Sequence, residues 1–174
     1  MKNYYILSLV GLDRPGVADE TSAFLFDRGA NIEDSRMASM GGRFAVMVLF
    51  SCSSAEAEKI KADGGELTGR GFEFFIHDAQ DPAGLTVRAE LPLKIRVMAM
   101  DHPGIVKNVV GLLNRFDVNI QSLNTKVQQA PWSGTPLFDL YLRAGVPKSA
   151  SIVRVKDELS RLAAEMNLDL TFKE

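Results

Sequence analysis

Two copies of one motif, 88 residues apart, constrain this chain more than any other feature. "LDRPGV" occupies residues 12–17 and "MDHPGI" residues 100–105. Superposing the halves at that offset places Asp13 on Asp101, Pro15 on Pro103, Gly16 on Gly104, Asn31 on Asn119 and Ile32 on Ile120. Apolar positions follow in register: Val17 on Ile105, Phe24 on Leu112, Leu25 on Leu113. Past Asn119 the second half gains six residues within "QQAPWSGTP", because Phe44 then meets Phe138. A repeat of this length is domain-sized, so the chain reads as a duplicated small domain and not as a solenoid of short units.

Each half alternates structure in the same order. "YYILSLVGL" and "LPLKIRVMAM" place Tyr5, Leu7, Leu9 and Leu93, Ile95, Val97 on one parity, the period-two pattern of a strand with one buried face. After Pro-Gly the period changes. Ile105, Val109, Leu112, Leu113 and Phe116 make one helical stripe, and Gly29 suits the C-terminal cap of the first such helix. Strands beginning at Asn31 and Asn119 follow, then "RFAVMVLFS" and "LFDLYLRAG". A second helix is well patterned in "SASIVRVKDELSRLAAEM". Its counterpart near residues 54–69 is weakened by Gly64 and Gly65, each costing about 1 kcal/mol relative to Ala inside a helix. "FEFFIHD" and "LDLTFKE" end the units. The order is βαββαβ twice: an α+β chain of two ferredoxin-like units, antiparallel sheets with both helices on one face. The expected boundaries are residues 1–80 and 92–174, with 81–91 as linker. Whether "LTVRAE" adds an edge strand is open at this stage.

Composition narrows the function classes. Residues 1–80 carry 8 Lys/Arg against 12 Asp/Glu, and residues 81–174 carry 12 against 10. Neither half has the basic excess of a phosphate-backbone binder, so direct nucleic-acid binding is disfavoured. The one cysteine, Cys52, permits no intrachain disulfide and reads as a small buried hydrophobe at a strand end. One Cys and two distant histidines, His77 and His102, give no metal-ligand spacing, and no metal or cofactor is expected. The apolar run at the N-terminus is too short for a signal peptide, and no stretch approaches a membrane span, so a cytoplasmic protein is expected.

Three chemistries fail on the residues. Base stacking on the sheet needs a second aromatic where "GGRFAVMVLF" has Val46. Acyl-phosphate hydrolysis wants an Arg after strand one, which Arg14 offers in one half and His102 does not in the other. "GGELTGRG" has P-loop glycine spacing, but Arg70 and Gly71 replace the Lys and the hydroxyl residue, and a strand follows. No catalytic set remains. Asp-x-Pro-Gly itself can be purely local geometry, but that does not explain why Asp and Asn recur with it. The end of strand one and the start of strand two lie at opposite ends of such a sheet, so these two polar markers suggest a site completed by another unit. The sheet face away from the helices is apolar in unit 1 (Ile6, Val10, Leu12, Ala45, Met47, Leu49), which points to burial against another sheet or protomer. Its unit 2 counterpart holds Lys94, Met98, Met100, Leu137, Asp139, Tyr141 and Arg143.

On "LDRPGV…ANI" and "MDHPGI…VNI", each within a βαββαβ unit, the chain resembles ACT domains, the small regulatory modules that bind amino acids. Two such units filling the chain resemble the glycine cleavage system transcriptional repressor family. The resemblance implies a non-enzymatic regulator that binds a small amino acid, with glycine the first candidate, and signals to a protein partner such as a transcription activator. A homodimer is expected. By the same resemblance the ligand would lie between units, against Asp13, Pro15, Gly16, Asn31 and Ile32 and their mates Asp101, Pro103, Gly104, Asn119 and Ile120. Gly would allow close backbone approach, the helix N-terminus would receive the carboxylate, and Asp and Asn oxygens would accept from the ammonium group. Amino-acid-binding members often carry Asn where this chain has Asp13 and Asp101. Two alternatives remain: an interaction module that needs no ligand, and a detached regulatory subunit of an amino-acid biosynthetic enzyme.

Overall fold

The computed structural model describes residues 2–85, 89–130 and 134–173. Contacts divide the chain into two units, residues 1–86 and 87–174. In unit 1, β1 (Asn3–Leu12) leads into α1 (Val17–Phe26), then β2 (Asn31–Met40), β3 (Arg43–Cys52), α2 (Ser54–Ala62), a short α3 (Gly65–Gly69) and β4 (Glu73–Ala79). Unit 2 repeats this with β5 (Glu90–Met100), α4 (Ile105–Asn114), β6 (Asn119–Gln129), β7 (Pro136–Pro147), α5 (Ile152–Glu165) and β8 (Asp169–Lys173). The sheets run β2-β3-β1-β4 and β6-β7-β5-β8, antiparallel at every pairing. This is the expected βαββαβ arrangement, twice.

The parity of the central strands sets each core. Leu7, Leu9, Val48 and Phe50 point to the helices in unit 1 and are buried with Leu25, Ile60 and Leu67. Ile95, Val97, Leu140 and Leu142 do the same in unit 2, against Ile105, Val109, Leu113, Val155 and Leu159. Cys52 is buried at the end of β3, where burial raises its thiol pKa.

The second helix of unit 1 is broken. α2 is capped by a reciprocal Ser53–Glu56 box and stops at Ala62, and α3 adds little more than a turn. Gly64 stands at the break for lack of space: a Cβ there would lie 2.0 Å from the Phe74 ring. The first helix of each unit ends in one left-handed residue, Gly29 (φ 82°) and at the matched place Asp117 (φ 53°). Ala30 N–H bonds to Leu25 C=O and Val118 N–H to Leu113 C=O, closing the same C-terminal turn.

The six extra residues lie in the β6–β7 hairpin. In unit 1 Met40 pairs with Arg43 around Gly41-Gly42, both at positive φ, a two-residue turn. In unit 2 the ladder runs one pair further, to Gln129–Pro136, before the loop. Residues 131–133 of that loop lie outside the described residues. So do 86–88, on which the question of an extra edge strand falls. Glu90 and Leu91, assigned to the linker from sequence, instead pair in β5 with Pro147 and Val146.

On the face away from the helices, unit 1 is apolar as expected. Unit 2 is not simply its polar copy. Asp139 was expected on this open face, but it is largely buried there beneath a two-bond ion pair with Arg96 (2.9 and 2.7 Å). The Arg96 guanidinium holds the Asp139 carboxyl below its ordinary pKa and also sits 4.8 Å from the Tyr141 ring centre.

Candidate functional site

The repeated motif forms the corner between the first strand and first helix of each unit. Gly16 (φ 95°, ψ −9°) and Gly104 (φ 100°, ψ −9°) are the N-cap residues of α1 and α4. With Pro preceding, these angles are those of the third residue of a type II turn, so the Pro-Gly pair turns the chain before the helix and does not form its first turn. The positive φ is what makes Gly the residue of choice, since there is no crowding at either position. The Asp13 N–H bonds to Gly42 C=O, and the Asp101 N–H to Pro136 C=O, so each corner rests on the central hairpin of its unit. Asp13, Pro15, Asp101 and Pro103 are exposed.

This corner leaves helix donors open. α2 and α5 are capped by the Ser53 and Ser151 hydroxyls, whereas α1 and α4 have no side-chain cap. The first backbone N–H groups of a helix point outward along its positive dipole end, so uncapped ones suit an anionic oxygen.

The two corners differ in charge. In unit 1 the first turn of α1 carries Asp19 and Glu20, and the Arg14 guanidinium grips the Glu20 carboxylate with both Nη atoms. Arg14 thereby pulls the Glu20 carboxyl below its ordinary pKa. Ser39 Oγ donates to the Asp13 carboxylate. In unit 2 Lys107 and Asn108 stand where Asp19 and Glu20 stand in unit 1, and α4 has no acid in its first turn.

The second-strand residues lie elsewhere. Asn31 pairs with Ser51, which pairs with Tyr4 at the start of β1. Asp13 follows the far end of that strand. At about 3.3 Å per residue the two are roughly 30 Å apart along the sheet. The structure therefore does not bring Asp13 and Asn31 together within a unit, nor Asp101 and Asn119, which pairs with Gly145 of β7, itself opposite Pro92 near the start of β5. Asn31 and Ile32 line an open groove of about 400 Å³ with Phe26, Ala23, Ser22 and Asp19. Ile120 instead packs against the core of its unit.

Glu33 is the residue that sequence reasoning missed. Its carboxylate accepts from Lys2 (2.8 Å), Ser51 Oγ (2.6 Å) and the Asn31 amide nitrogen (3.0 Å), which together lower its pKa to about 2. The contact fixes the Asn31 amide and turns its carbonyl oxygen away from Glu33. The one signal was its place two residues after Asn31, and the bulge between Ile32 and Asp34 obscures the parity there. Among the described residues no group of His, Cys, Asp and Glu could hold a metal ion, and no helix is long and apolar enough to cross a membrane.

Residues 3–63 match the ACT domain family model. The glycine cleavage system transcriptional repressor of Escherichia coli (strain K12) is 24% identical over 168 residues, which span 95% of this chain and 87% of that protein. The chain resembles tandem ACT-domain proteins of the glycine cleavage system transcriptional repressor family, with the ACT match itself in unit 1. Solved structures agree on the fold of the two units. An unknown protein from Galdieria sulphuraria superposes with a TM-score of 0.85 at 29% identity, covering 100% of this chain and 99% of that one. A candidate glycine cleavage system transcriptional repressor gives 0.71 at 19% identity, covering 99% and 97%.

Proposed function

We propose that this chain is a non-enzymatic regulator whose ACT units bind a small amino acid, glycine first among candidates, and pass the bound state to a protein partner. The observation that carries the reading is the pair of uncapped helix starts, α1 and α4, each behind a left-handed glycine and beside an exposed Asp. An amino acid carries two opposite charges on neighbouring atoms. The helix donors suit its carboxylate and the Asp suits its ammonium group. Gly places no side chain between ligand and backbone, which favours the smallest ligand.

Unit 2 is the better receptor of the two. The first turn of α4 carries Lys107 and no acid, where that of α1 carries Asp19 and the Glu20 paired with Arg14. Asn31 and Asn119 lie too far from the corner of their own unit to share its ligand, so their part is to complete a corner supplied by another unit. Asn31, held by Glu33, is the better organised of the two for that role. The Escherichia coli relative is named a transcriptional repressor of the glycine cleavage system, and the same role, through a transcription activator as partner, is proposed here.

A thermal-shift screen against the twenty amino acids tests the reading. Ligand at 100 times its Kd adds about 2.7 kcal/mol to the folded state. A rise of several degrees with one or a few small amino acids is expected, and it should vanish in Asp101→Ala. No shift with any amino acid at 10 mM would overturn the proposal.

A further inference from the structure

Strand pairing on the open sheet face of unit 2 sets Arg143, Lys94 and Lys173 side by side on three neighbouring strands, all exposed. Neighbouring strands lie about 4.8 Å apart, so the three cations fall within about 10 Å. Ser122 completes the row on β6, which therefore holds no acid. Like charges directly opposite one another weaken a sheet. The fold does not demand them, because unit 1 has Leu49, Ile6 and His77 at these places. Among the described residues Arg143 forms no ion pair. The acids of the face are engaged or set apart. Asp139 is held by Arg96, Glu90 is turned over Gly145 toward the Gln121 amide, and Asp169 stands on the β8 edge beside Met98.

Farther along the same face, Met100 pairs with Leu137 and is 69% exposed. It lies six residues beyond Lys94 in β5, about 20 Å of strand. The face thus runs from a cationic row to an apolar end, and methionine adapts its shape to varied apolar partners. The one aromatic side chain on this face among the described residues is Tyr141. The Arg96 guanidinium lies 4.8 Å and the Lys173 amine 5.3 Å from its ring centre. That ring is therefore not free to stack on a base, the contact by which such a sheet holds a single-stranded nucleic acid. Carboxylates need only the cations.

We infer that this face docks an acidic segment of a protein partner. Its carboxylates lie over the Arg143–Lys94–Lys173 row, and an apolar side chain lies over Met100 and Leu137. This gives a surface and a chemistry to the protein partner proposed above and rests on that part of the reading, not on the amino acid.

Fluorescence anisotropy with the full chain, in about 50 mM salt and with no amino acid present, tests it. The labelled probes are a Glu-rich peptide with Leu at both ends, the same peptide with Ser for Leu, and oligo(dT) of equal charge. The Leu-bearing peptide should bind with a Kd below about 100 µM. Arg143→Glu and Lys173→Glu should each weaken it at least about five-fold. Arg154→Glu, the same charge change on α5 behind the sheet, should leave it unchanged. Met100→Ser should weaken the Leu-bearing peptide about three-fold or more and leave the Ser-bearing one unchanged. Circular dichroism checks the fold of every variant. No binding of the Leu-bearing peptide overturns the inference. So does an equal loss in Arg154→Glu, or equal binding of the two peptides that ignores Met100→Ser. Tighter binding of oligo(dT), lost in the same Arg143 and Lys173 variants, overturns it in favour of nucleic acid. Because the probes bind without amino acid, this titration and the thermal-shift screen fail independently.

Discussion

Replacing Gly104 by Ala separates backbone geometry from space, and the structure sets the size of the effect. A Cβ at Gly104 would find only the Asn108 amide nitrogen, at 3.5 Å, an ordinary contact. The φ of 100° is the obstacle. A non-glycine residue in left-handed backbone costs about 1–2 kcal/mol. Ala recovers about 0.4–1 kcal/mol by restricting the unfolded chain. The net loss is about 1 kcal/mol, which lowers the melting temperature of a unit this size by roughly 4–8 °C. Gly111 supplies the control. It lies inside α4 with nothing near a would-be Cβ, and Gly111→Ala should raise stability by about 0.8–1 kcal/mol. Differential scanning calorimetry of the two variants should therefore show shifts of opposite sign. Two shifts of the same sign would refute the claim that the Pro-Gly corner is held by its dihedral angle.

Other perturbations probe separate parts of the account. Gly64→Ala drives a methyl group into the Phe74 ring and should cost about 1–3 kcal/mol, read as a lower urea midpoint for unit 1; an unchanged midpoint would show that the ring has room to move. Because the Arg96 hydrogen bonds lower the folded-state pKa of Asp139, that carboxylate stabilises the fold above its unfolded pKa, about 3.9, and the contribution is lost as pH falls through the lower folded value. Asp139→Asn should accordingly be less stable than wild type near pH 6, and the gap should narrow toward pH 2; a gap constant with pH would contradict the pairing. Glu33→Ala removes the acceptor that holds the Asn31 amide, so it should weaken amino-acid binding while leaving the fold intact by circular dichroism; unchanged affinity would show that this hydrogen bond plays no part in binding.

The fold was legible because both periods are strong. Leu7 and Leu9 against Ile6 and Val10 announce a strand with one buried face, and the stripes of α4 and α5 announce helices. The duplication then let each half correct the other, which is how the weak stretch after Ser53 could be read as helical at all. The break at Gly64 was half visible. Two adjacent glycines weaken a helix, but the close approach of Phe74 depends on tertiary packing. The Arg96–Asp139 pair was hidden for a related reason. It joins neighbouring strands diagonally, so parity placed Asp139 on the correct face but gave no sign of the Arg96 side chain that covers it. Glu33 was hidden by the bulge that shifts the register beside it. The Asp-Pro-Gly corners were plain in the sequence, yet their unequal charge became meaningful only once Arg14 was seen on Glu20 and Lys107 at the start of α4. Coupling across space, more than local pattern, is what the sequence withheld.

Isothermal titration of the intact protein with glycine and the other amino acids, repeated on Asp101→Ala and Asn31→Ala, tests the central claim most directly. The account predicts saturable heat with at least one small amino acid, and loss of that heat in both variants. Flat heats for every amino acid on folded wild-type protein, or undiminished binding in both variants, would contradict it.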